Sequence, residues 1–97
     1  MDSQKIVSQT FINCVSRAVV LEAVLGERER QDKKWGDQSH HSDSWWNVIA
    51  TEENGEVARE VYEQRETKLF IELIQACAVY FAWAEAVHSR SQHEKNG

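Results

Sequence analysis

Apolar residues recur three and four apart through Phe11, Cys14, Val15, Ala18, Leu21 and Val24 or Leu25, which is the period of one helix face. The spacing predicts a first helix over about residues 5–31. Gly26 interrupts it at a cost of about 1 kcal/mol in a helix interior, but the following run Glu27-Arg28-Glu29-Arg30-Gln31 favours helix, so one long helix is expected. From Asp32 to Ser44 the period disappears and Gly36 and His40-His41 enter. A loop is predicted there, longer than most helix connections and therefore suited to a functional use. Asp43 or Ser44 can cap a second helix that begins at Trp45-Trp46 and runs to about Gln64, with Trp46, Ile49 or Ala50, Glu53, Val57 and Val61 on a broad face. Thr67 can cap a third, over about residues 68–88. Its Leu69, Phe70, Leu73, Ile74, Cys77, Tyr80, Phe81 and Ala84 share one wide face, while Ile71, Ala78, Val79 and Val87 extend apolarity to the other sides.

A helix that is apolar on nearly every side is surrounded by other helices. Three helices in so short a chain do not easily surround one of their own number, so a second subunit is expected to complete the bundle. The predicted fold class is all-α, with three main helices in a single domain over residues 1–88. Residues 89–97 are expected to form a polar, flexible tail that leaves His88 and His93 in solvent.

The second and third helices carry a set of acids that have meaning only together. Glu53 and Glu56 lie at i, i+3, Glu52 and Glu56 at i, i+4, and Glu72 and Gln75 repeat the i, i+3 spacing. In one unbroken helix Glu56 and Glu72 would stand about 24 Å apart, too far to share an ion. A turn near Gln64, the midpoint of the 56/72 and 53/75 pairs, brings each residue level with its counterpart. Oxygen ligands grouped in this way suit Mg²⁺ or Mn²⁺. Acids at helical spacing more often cover a solvated face, but here Ile49, Val57, Val61, Leu69, Leu73 and Ala76 surround them, and a partly buried carboxylate needs a partner. Gly55, inside this run, either leaves room for close approach of a helix or ligand or is simply tolerated there.

Composition narrows the class. The chain of 97 residues has 16 Asp and Glu against 11 Lys and Arg, a net charge of -5, and this balance argues against direct nucleic-acid binding. Cys14 and Cys77 lack motif spacing and fall in apolar helical patterns, so both are expected as reduced core thiols. No uninterrupted run of 18 apolar residues occurs, and no basic start precedes an apolar signal core. A cytoplasmic protein with no membrane partner is expected.

The ordered set Glu27-Arg28-x-Arg30-Gln31-Asp32-x-Lys34-Trp35-Gly36, then Gln38, His40 and Trp45, then Glu52-Glu53-x-Gly55-Glu56-Val57-Ala58, and finally Glu72-Leu73-Ile74-Gln75-Ala76-Cys77-Ala78-Val79 with Trp83 resembles the MazG-like all-alpha nucleoside triphosphate pyrophosphohydrolases, particularly the short phage-borne ones. The resemblance covers about residues 27–85. It implies helical subunits assembled as dimers or dimers of dimers, and Mg²⁺-dependent cleavage of a nucleoside triphosphate to monophosphate and pyrophosphate. It also implies that Glu53, Glu56 and Glu72 are metal ligands, with Glu52 a ligand or the residue that orients water.

One position departs from that family's pattern of EExxE followed by ExxD, because its last residue here is Gln75. A Gln carbonyl can coordinate Mg²⁺ but adds no negative charge and cannot act as a base. Either the short branch works with Gln, or the site is weakened and the chain is a noncatalytic nucleotide-binding or protein-interaction bundle. For a triphosphate substrate, Arg28, Arg30, Lys33 and Lys34 beside the loop and Arg59 one turn beyond Glu56 are candidates to position phosphates. Trp35, Trp45 or Trp46 can stack on a base or serve packing, and His40 is a further candidate contact.

Overall fold

The computed structural model describes residues 3–96, without the side chains of residues 3–8, 10, 11, 95 and 96, so the expected placement of Phe11 lies outside the described residues. Three helices make up the fold: α1 over Ser3–Trp35, α2 over Asp43–Glu63 and α3 over Glu66–Asn96. Among the described residues there is no strand.

The helix ends have local causes. α1 passes through Gly26 without a break and stops at Gly36, whose φ of 70° is the left-handed cap conformation and whose N–H donates to the Asp32 carbonyl at 2.9 Å. Lys33 and Lys34 in its last turn suit the negative end of the helix dipole. The loop is accordingly shorter than predicted, residues 36–42. Ser42 caps α2 through its Oγ, which accepts from the Trp45 N–H at 3.2 Å, so the cap lies one residue before the Asp43 or Ser44 expected. The chain turns where the mirrored acids place it: Gln64 is left-handed at φ 58°, and the Arg65 N–H reaches back to the Glu60 carbonyl at 3.2 Å. The Arg65 side chain binds the buried Glu60 carboxylate at 2.7 and 2.8 Å and also pairs with Glu63. α3 then starts at Glu66, ahead of Thr67, and continues to Asn96, so the polar segment expected as a tail is helical as far as it is described.

α3 is the central element, with α1 and α2 both packed on it. Trp46 and Ala50 of α2 meet Val79, Ala82 and Ala86, while Val24 of α1 meets Ile74 and Ala78. Ala78, Ala82 and Ala86 recur every four residues, and their small side chains let both neighbouring helices approach along one ridge. Polar ties fix the register: Arg28 to Glu85 at 2.8 Å, the Trp83 indole N–H to Asp43 at 2.9 Å, and Arg90 to Asp43 at 3.1 Å. α2 runs antiparallel to α3, and α1 runs in the same sense as α3.

Within Glu66–Glu94 an 18-residue window has a mean hydropathy of 1.4, so by length and composition this helix is apolar enough to cross a membrane, although Glu72 and Glu85 divide its apolar run. In this fold the apolar side chains of α3 serve two uses. Ile74, Ala76, Val79 and the alanine ridge are buried, whereas Phe70, Leu73, Tyr80 and Phe81 are exposed. Ile12, Val15, Val19 and Leu25 along α1 are exposed too. Both cysteines are free as expected, yet both are exposed and neither belongs to the core. The radius of gyration is 17.2 Å, against about 12–13 Å for a compact domain of this length.

Candidate metal centre and adjoining cavity

The hairpin brings Glu53, Glu56 and Glu72 together, with one oxygen from each lying within 4.8 Å of the others. Ligand oxygens around an octahedral Mg²⁺ at about 2.1 Å stand about 3–4 Å apart, so small side-chain rotations suffice to close the set on an ion. Glu53 and Glu72 each keep a buried carboxylate oxygen with no hydrogen-bond partner. Buried polar atoms are rarely left in this state without a ligand or water to satisfy them. Three carboxylates with two such oxygens are a hard-oxygen donor set that fits Mg²⁺ or Mn²⁺. Gly55 has open space around it, and no other helix of the chain approaches it closely.

The electrostatics agree with crowding. Burial pushes the Glu53 carboxyl above its ordinary range, and the negative charges of Glu56, Glu27 and Glu52 push it further. Glu72 is raised by burial, then by its hydrogen bond with Glu56, and by the charges of Glu56, Glu53 and Glu60.

On one side the cluster meets a cavity of about 890 Å³. α3 supplies its floor through Gln75, Val79, Ala82 and Ala86, α2 one wall through Trp45, Trp46, Ile49, Glu52 and Glu53, and α1 the other through residues between Glu27 and Trp35. Gly36 to Ser39 close one end. Arg28, Arg30, Lys34 and Trp35 line this cavity as candidate substrate contacts. Lys33, His40 and Arg59 do not. Lys33 falls within α1 instead of a loop, so helical rotation sets its direction. His40 packs near His41, which stacks on Trp45 at 3.7 Å between ring centres. Arg59 lies on the far side of the acid cluster, in a second concavity with Glu72.

The lining cations are partly committed. Arg28 bridges Glu85 and Asp32 at 2.8 and 3.1 Å, Arg30 is held by Glu27 at 2.6 Å, and Lys34 sits over the Trp35 ring at 4.8 Å. Glu27 and Glu85 thus take part in the cavity wall as partners of the arginines, a role the sequence pattern did not assign them. Their signal was present for Glu27, three residues before Arg30 on one helix face, whereas the Glu85 pairing depends on how α1 lies against α3. The buried Trp46 also lines the cavity, and its indole N–H has no partner. No family model, curated protein or solved structure matches this chain.

Proposed function

We propose that the protein is a Mg²⁺- or Mn²⁺-dependent nucleoside triphosphate pyrophosphohydrolase of the MazG-like all-alpha kind, converting a ribo- or deoxynucleoside triphosphate and water to the monophosphate and pyrophosphate. The observation that carries this reading is the trio Glu53, Glu56 and Glu72 with its two unpartnered buried oxygens, beside a cavity that offers Arg28, Arg30, Lys34 and Trp35. Glu53, Glu56 and Glu72 would hold the ion, with the Gln75 carbonyl as a neutral fourth donor. Bound there, the ion would neutralise phosphate charge and polarise the phosphoryl centre.

The remaining roles fall to the chain itself. Glu52, on the cavity wall beside Glu53, orients water and accepts its proton as the new P–O bond forms. The α–β phosphoanhydride bond breaks and the electron pair leaves with pyrophosphate. Arg28 and Arg30 exchange carboxylate partners for phosphate oxygens, and Trp35, largely exposed at the rim, offers a face to the base.

The same proposal includes a homodimer or dimer of dimers. The exposed apolar side chains of α3 and α1, and a shape too extended for the chain length, support a partner copy that covers them. Gln75 favours a second reading, a noncatalytic nucleotide-binding or protein-interaction bundle, because it withholds one negative charge from the site. A panel of nucleoside triphosphates with Mg²⁺ or Mn²⁺ and resolved products separates the two. Pyrophosphate release supports catalysis, orthophosphate alone indicates another cleavage class, and metal-dependent binding without turnover supports the second reading.

A further inference from the structure

The side of α3 turned away from the cavity carries Phe70, Leu73, Cys77, Phe81 and Ala84, all of them exposed. At about 100° per residue, these five point roughly 120–180° round the helix from the cavity-lining Gln75. On α1 the exposed Cys14, Leu21 and Leu25 point roughly 120–180° from the cavity-lining Glu27 by the same measure. The two helices run in the same sense and share the cavity on one side, so their apolar stripes meet on the other as one back face. Along α3 the spacing of the stripe is 3, 4, 4 and 3 residues, which reads the same in both directions about Cys77. The only charged residue between Phe70 and Ala84 is Glu72, which belongs to the acid cluster.

We propose that this back face binds a second copy of the chain, with α3 packed antiparallel on the partner's α3 about a two-fold axis through Cys77. A two-fold contact must be self-complementary, residue i meeting j while j meets i, and a stripe that is symmetric about one residue meets that condition. Phe70 then faces the partner's Ala84, Leu73 faces the partner's Phe81, and the two Cys77 side chains face each other. Large side chains meet small ones at both ends of the stripe, and the helix dipoles oppose; a parallel pair would set Phe81 on Phe81 and Ala84 on Ala84 with the dipoles aligned. Two helices wide, the face measures about 20 × 20 Å, and the accessible surface of so ridged a patch is of the order of the ~600–1,000 Å² per partner that stable dimers bury. Cys14 and Cys77, exposed in one chain, thus enter a core shared by two. The cavities open on opposite outer sides of the dimer, each built from one chain alone. This inference rests on the assembly proposed above and is independent of the chemistry proposed for the acids.

The test combines sedimentation of the full chain with cross-linking by a short bis-maleimide that spans about 8–10 Å, one helix-packing distance. Wild-type protein and C14A should yield covalent dimers and C77A none, while C77A still sediments as a dimer. Leu73→Glu and Phe81→Lys should each be monomeric alone, and mixing the two should restore a dimer, because position 73 of one chain faces position 81 of the other. A chain that had lost its fold would not be rescued by mixing. A monomeric wild type overturns this interface and the proposed assembly together. A wild-type dimer that cross-links equally well without Cys77, or a mixture of the two charged variants that stays monomeric, overturns this interface and leaves the assembly standing. A dimer cross-linked through Cys77 that releases no pyrophosphate from any triphosphate overturns the catalytic reading and leaves the interface standing.

Discussion

Glu56 of α2 and Glu72 of α3 meet across the hairpin with carboxylate oxygens within 4.8 Å of each other, and burial together with this crowding raises the Glu72 carboxyl and favours its protonated form. A divalent cation would take up the same oxygens. Proton and metal therefore compete for one site, and pH and metal concentration become linked variables.

Glu56→Gln retains side-chain volume while removing a negative charge and a strong oxygen donor. Pyrophosphate release should fall at least about a hundredfold, since several kcal/mol of charge stabilisation depend on the intact set. Helix content by circular dichroism should be unchanged, because Glu56 is exposed. Wild-type turnover in this variant would remove Glu56 from the site.

Gln75→Asp supplies the charge that the fourth position lacks. Gln75 is half-buried and lines the cavity with Glu53, so the variant should bind Mn²⁺ several-fold more tightly in calorimetry. Unaltered affinity would show that residue 75 does not face the ion.

The pH dependence of stability has two limbs of opposite sign. Glu53 and Glu72 are raised by burial and neighbouring acids, so their contribution is complete below the ordinary glutamate value of 4.5 and is lost as pH rises through their folded values. Asp43 is lowered by the Trp83 N–H and then by Arg90, so its contribution is present above the ordinary aspartate range and is lost as pH falls through its folded value. Metal-free protein should therefore be destabilised on both sides of a mildly acidic optimum. Mg²⁺ at 100-fold over its Kd should add about 2.7 kcal/mol at neutral pH, a rise in Tm of roughly 10–20 °C for a domain of this size. Thermal melts with chelator and with Mg²⁺ test both statements, and a neutral-pH Tm insensitive to the metal would contradict them.

Sedimentation should find a dimer or larger assembly at micromolar concentration. Phe81→Glu places a charge on the exposed apolar face of α3, and in a two-fold interface the change occurs twice. Loss of about 1.5–3 kcal/mol per side chain would weaken association by two or more orders of magnitude and yield monomers. A wild-type monomer would overturn the assembly.

The hairpin was legible in the sequence because the 53/56 and 72/75 spacings reflect about residue 64, where the chain adopts its left-handed turn. The helix ends were less so. Residues 89–96 have no apolar period, yet neither Gly nor Pro interrupts them, and polarity alone does not stop a helix. The same holds for Asp32, Lys33 and Lys34 ahead of Gly36. Periodicity also identified the faces that carry Cys14 and Cys77 without saying what covers them. Arg59 and His40 stand near the acids or the loop in sequence, but which concavity a side chain joins depends on rotation about its element and on interhelical contacts that spacing does not encode.

Asp43 fastens the start of α2 to Trp83 and Arg90, and Arg65 fastens its end through Glu60. α2 is thus a beam clamped at both supports, with the acids in the middle of its span. Among the described residues α1 touches the same ridge where Val24 meets Ile74 and Ala78, with Arg28 and Glu85 close beside it. All three carboxylates stand on α2 and α3, whereas one wall of the cavity is α1. The room for a ligand is therefore set by how α1 lies on α3 and the spacing of the acids by the hairpin, so admission of a ligand and preorganisation of the acids are mechanically separate properties of this fold.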